Sequence, residues 1–157
     1  MSTLIKFGKP AGTPGEDTAP ENTASESGVP VSVLFTSTNQ TIRALEHAEV
    51  LASRTGAGVN VVAALVVPFP LPLDRPPVPF EFIIRRFEEL TKNCARKTQI
   101  CTYLCRDPVI ALKTVLDPKS PVIMGVREKS WWPSREKRFA RKLRRAGYEV
   151  ILVEAEA

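Results

Sequence analysis

The sequence predicts a three-layer α/β/α domain built on a five-stranded parallel sheet, with helices on both faces. Three observations carry this. Short β-branched runs alternate with helix-period segments along the chain, a pattern that calls for parallel pairing through right-handed crossovers. One run, Val59 to Val67, is apolar at nearly every position, as expected of a strand covered on both faces. Glycine, proline and capping residues fall between the runs, where turns are needed.

Taken in order, Val31 to Phe35 reads as the first buried strand. Thr38 or Asn39 can cap a helix with Ile42, Leu45, Ala48 and Ala52 on one face, ending at Gly56. Val59 to Val67 is the second strand. Six prolines between Pro68 and Pro79 then enforce an extended loop. Phe80, Ile83, Ile84, Phe87 and Leu90 recur at helical spacing, so an amphipathic helix is expected to about Lys97. Gln99 to Cys105 reads as the third strand. Asp107-Pro108 joins a capping carboxylate to a proline at the first helical position, and that helix stops before Pro118. Pro121 to Gly125 is the fourth strand. Ser134 caps a basic helix with a narrow stripe of Phe139, Leu143 and Ala146, closed by Gly147. Glu149 to Val153 completes the set.

The 157 residues suit one domain and a tail, and 43% hydrophobic content is enough for a core. Residues 30–157 are assigned to the domain. Residues 1–29 are rich in Gly, Pro, Ser and Thr and bury too little to offset ordering entropy, so a disordered tail is expected. No run approaches the ~20 apolar residues of a membrane span, and Met1 to Pro10 lacks an apolar stretch of signal-peptide length. A cytoplasmic location is the expectation. Cys94, Cys101 and Cys105 are odd in number and lack CxxC spacing, and the single histidine, His47, is distant. Reduced thiols are expected, not a disulfide framework or a metal site.

Net charge is +5, but Arg127 to Arg145 alone holds nine cations against Glu128 and Glu136, a local +7. A basic patch of Arg135, Lys137, Arg138, Arg141, Lys142, Arg144 and Arg145 is therefore the feature to explain.

Three stretches resemble the universal stress protein family. The first is Val33-Leu-Phe-Thr-Ser-Thr-Asn39 with Ala44 to Ala48 and Arg54 to Ala57. The second is Arg106-Asp-Pro-Val-Ile-Ala111. The third is Pro121-Val-Ile-Met-Gly125 with Val150 to Val153. The resemblance implies strand order 3-2-1-4-5 and ATP or AMP held between the ends of strands one and four, where open sheets also place ligands. It implies a homodimer through the last strand, whose apolar edge would otherwise lie unpaired. Family members that bind ATP carry an aspartate after strand one, where this chain has Thr36 or Ser37. Their glycine-rich phosphate run survives here only as Gly125, with Glu128, about Arg138 and Phe139 at its later positions.

The crevice residues expected to meet a ligand are Thr36, Ser37, Gly125, Arg127, Lys129 and Ser130, with Trp131 or Trp132 stacking on a ring. Alternatively, the tryptophans pack the basic helix onto the sheet and the cations are only solvated. Paired carboxylates, a metal cluster and a nucleophile elbow are not found, so a non-catalytic regulatory domain is expected. The other reading is an interaction module whose basic helix binds an anionic membrane, an acidic protein or nucleic acid.

Overall fold

The computed structural model describes residues 5–7, 28–92, 94, 98–128 and 131–156. Its elements run β1 (Ile5–Phe7), β2 (Val31–Leu34), α1 (Thr38–Thr55), β3 (Val59–Val66), α2 (Phe80–Thr91), β4 (Thr98–Cys105), α3 (Pro108–Val115), β5 (Val122–Arg127), α4 (Arg135–Arg145) and β6 (Val150–Ala155). The sheet order is β1-β4-β3-β2-β5-β6. From β4 to β6 all pairings are parallel, so the five predicted strands take the predicted order 3-2-1-4-5. To these the structure adds β1, which pairs antiparallel with β4 from Ile5↔Leu104 to Phe7↔Thr102. It lies inside the segment expected to be a tail, most of which falls outside the described residues.

Strand alternation sends side chains to two cores. Val31, Val33, Val59, Val61 and Ile123 pack against Ala44, Leu45, Ala48 and Ala52 of α1. On the opposite face Leu34, Val62, Val122, Met124 and Val150 pack against Leu112 of α3 and Ala140 and Leu143 of α4. Beside α1, α2 sets Phe87 edge-on to Phe35, with ring centroids 4.8 Å apart.

Several ends differ from expectation. The N-cap position of α1 is Ser37, whose side chain makes no capping bond. Thr41 takes the stripe position expected for Ile42, which is exposed. Gly56 and Gly147 do end α1 and α4, with φ of 69° and 96°, where a Cβ would be strained. Asp107 accepts from the Val109 and Ile110 N–H groups at 2.8 and 3.2 Å, the predicted cap of α3. α2 closes at Thr91, and the remainder of its expected span lies largely outside the described residues.

The main difference is at Gly125. It does not end a strand: β5 runs on to Arg127, pairing Gly125↔Val153 and Arg127↔Ala155. Since Ile123 faces α1 and Met124 faces α4, the missing Gly125 side chain faces α1. A Cβ there would overlap the Gln40 backbone carbonyl in the first helical turn. The helix thus lies on the strand at backbone contact, and only glycine permits it. Gly125→Ala is expected to cost about 3 kcal/mol, read as a lower urea midpoint at unchanged slope. An unchanged midpoint would show that α1 does not depend on this approach.

Candidate functional site

The turn leaving β2 is tied down from two sides. The Thr36 N–H donates to Thr41 Oγ1 at 3.3 Å, and Thr36 Oγ1 donates to the Gly125 carbonyl at 3.3 Å. The predicted meeting of the strand-one turn with Gly125 is therefore present. It falls between the parallel strands β2 and β5, where the strand order reverses, the ordinary ligand position of an open parallel sheet.

A cavity of about 310 Å³ opens there on the α3/α4 face. Leu34, Ala64, Met124 and Phe139 make its apolar walls, and Thr36, Pro108, Arg135 and Glu136 bring polar or helix-start groups to it. The first turns of α3 and α4 both border it, and helix starts favour negative charge. Part of that field is already spent. The Asp107 carboxylate occupies the α3 donors, Ser134 accepts from the Lys137 N–H at 3.2 Å, and Glu136 sets a carboxylate beside Arg135.

The residues expected to bind a ligand divide. Thr36 lines the cavity and Gly125 lies against Thr36, but the space left by its missing side chain faces α1, on the other side of the sheet. Ser37 begins α1. Arg127 is exposed at the end of β5. Lys129 and Ser130 lie outside the described residues. Glu128, at the second position of the glycine run, donates its N–H to the Ala155 carbonyl at 3.0 Å. That backbone donor serves the sheet and is not offered to a phosphate.

Arg135 belongs to the cavity as well as to the basic patch, while Ala64, Met124, Phe139 and Glu136 were not expected at a site. The signal for Ala64 was present: a small residue two positions after Val62, on the same face of a valine-rich strand, leaves room beside the helices.

The tryptophans do not pack the basic helix onto the sheet. Trp131 is fully exposed and Trp132 is 78% exposed, because Ala140, Leu143 and the half-buried Phe139 already fill the interface beneath α4. Arg144 departs from the solvated patch, its guanidinium donating to the Val150 carbonyl at 2.7 Å.

No family model matches the chain, and no curated protein matches it. Among solved structures it is similar to a universal stress protein from Archaeoglobus fulgidus, at 16% identity and a TM-score of 0.53. The match covers 80% of this chain and 93% of the other. At that identity the likeness establishes the fold.

Among the described residues no three His, Cys, Asp or Glu side chains group as metal ligands, and no helix is long and apolar enough to cross a membrane. Burial pushes the Cys105 thiol up from its ordinary 9.0 to about 11, helped by the nearby Asp107 charge. Burial also raises Cys94, and raises Tyr103 from 10.0 to about 12, with Cys101 adding to the latter. Such thiols stay protonated at neutral pH and are poor nucleophiles. Because the folded values lie above the unfolded ones, their contribution to stability is complete below pH 9 and is lost as pH rises from about 9 to about 12. The thermal midpoint is expected to fall across that window, and to fall less in Cys105→Ala. An equal fall in both proteins would remove the thiol from the explanation.

Proposed function

We propose that this chain is a non-catalytic regulatory domain of the universal stress type that holds a small adenine nucleotide, AMP in preference to ATP, at the ends of β2 and β5. The observation that carries the reading is the cavity of about 310 Å³ at the point where the strand order reverses. Its volume is at the small end of ligand pockets. The apolar walls suit a planar base, Thr36 offers a hydroxyl, and Arg135 offers one cation to a phosphate. Glu136 and Asp107 oppose accumulation of further negative charge, and the Glu128 N–H is engaged in the sheet. One phosphate fits this balance better than three. His47 is exposed on α1, and burial holds the Cys94 and Cys105 thiols protonated, which favours sensing over chemistry.

Calorimetric titration with AMP, adenosine and ATP tests the reading. AMP is expected to bind more tightly than ATP. Ala64→Leu, which fills the cavity, is expected to weaken AMP at least about tenfold while costing under about 1.5 kcal/mol of stability. Absence of heat with every ligand at millimolar concentration would overturn the reading.

The reading includes a homodimer. β6 pairs only with β5 among the described strands, and its Ile151, Leu152 and Val153 are half-buried. An exposed edge of this kind favours pairing with a second copy. Sedimentation at micromolar concentration is expected to give a dimer, and Leu152→Pro a monomer, since proline removes an edge donor. A wild-type monomer under those conditions would contradict it.

A further inference from the structure

α4 is the most amphipathic of the four helices, and apart from Arg135 the cavity does not use its cationic side. At 100° per residue, Arg135, Arg138, Arg141, Lys142 and Arg145 fall within an arc of about 120°, and all five are exposed. The inward arc holds Glu136, Phe139, Ala140 and Leu143, so the one acidic residue of the helix faces the cavity, away from Arg138, Arg141, Lys142 and Arg145. Among the described residues no ion pair involves α4; the one recorded joins Arg43 to Glu46. The charges thus form a cationic stripe along a helix about 16 Å long.

Two exposed indoles, Trp131 and Trp132, directly precede the N-terminal end of α4 in the chain. Arg138 lies at the centre of the cationic arc, and its Nε donates to the Pro133 carbonyl at 3.2 Å. That bond draws the segment following Trp131 and Trp132 toward the charged side of the helix. Adjacent exposed tryptophans are costly in water and favourable at a membrane interface, where an indole meets both acyl chains and headgroups.

We propose that this face docks on an anionic lipid bilayer, with Arg138, Arg141, Lys142 and Arg145 against headgroup phosphates and carboxylates and the indoles of Trp131 and Trp132 entering the interface. Charge complementarity selects anionic lipid over neutral lipid. The placing of the rings selects a bilayer over nucleic acid. A single strand calls for aromatic rings interleaved with cations along a groove, whereas here the rings stand together ahead of the stripe in the chain. Phe139 and Leu143 remain committed to the core, so contact is shallow and reversible, made by charge and two rings. The proposal is independent of nucleotide binding, and its test leaves Arg135 unchanged.

Trp131 and Trp132 are the only tryptophans in the chain, so intrinsic emission reports this loop alone. The full chain is mixed with phosphatidylcholine vesicles, with and without about 30% phosphatidylserine, at about 0.1 M salt, and followed by flotation and emission. Flotation and a blue shift are expected with the anionic vesicles only, and both are expected to disappear at about 0.5 M salt. Reversing Arg138, Arg141, Lys142 and Arg145 to Glu is expected to lower partitioning by at least about 100-fold, from roughly fivefold per cation. Trp131→Ser with Trp132→Ser is expected to lower it about tenfold and leave its salt dependence intact; this pair serves if the charge variant does not fold by circular dichroism. Failure to float with anionic vesicles, equal binding to neutral ones, or wild-type partitioning in both variants would overturn the proposal. So would a single-stranded oligonucleotide that shifts the emission at lower concentration than lipid does.

Discussion

The backbone contact between α1 and β5 sets the geometry of everything around it. Gly125 lets the Gln40 turn rest directly on the strand, and this holds the β2-to-α1 turn close enough for Thr36 to reach the Gly125 carbonyl. The strand order reverses at this place, and Thr36, fixed by this contact, lines the cavity on the opposite side of the sheet. A glycine in a strand ordinarily weakens it through lost packing and added unfolded-state entropy. Here that cost is offset by the buried alanine face of α1, with Ala44, Ala48 and Ala52 fully covered. Small residues on the helix and no side chain on the strand are two parts of one arrangement.

The same residue explains where a sequence motif misleads. A glycine after an apolar run invites assignment as a phosphate-loop position, because backbone approach is the usual reason for it. The approach is real, but the visiting backbone is Gln40. Which face a strand residue presents follows from counting against Ile123 and Met124, whereas the object on that face is a tertiary fact. Much of the rest was legible. Val31 to Leu34 and Val122 to Met124 are buried throughout and Val59 to Val66 at half its positions, so continuous apolar composition marked them as strands, and the capping chemistry of Asp107 and Gly56 marked helix ends within a residue or two. β1 left no trace in the sequence, since Ile5 to Phe7 is three residues long amid glycine and proline, too short to show a period. Trp131 and Trp132 carried the opposite hazard. Their hydrophobicity points to the core, yet the space under α4 is filled by smaller residues closer along the chain.

α4 joins the two proposed activities by dividing its sides. Phe139 and Glu136 face the cavity, Leu143 and Ala140 hold the helix to the sheet, and the cations occupy the remaining arc. Arg135 stands at the junction, part of the cavity lining and part of the exposed stripe. A ligand that engages Arg135 would therefore alter charge at the head of the stripe, a physical route by which occupancy of one side could reach the other.

The central claim is that the space beside Ala64 and Met124, on the α3/α4 side of the sheet, receives the ligand. Methyl-resolved NMR of the full chain with added AMP tests it directly. Shifts concentrated at the Ala64, Met124 and Leu34 methyls, with Ala44 and Ala48 across the sheet unmoved, are the predicted result. Shifts confined to the α1 side, or none at saturating AMP, would contradict it.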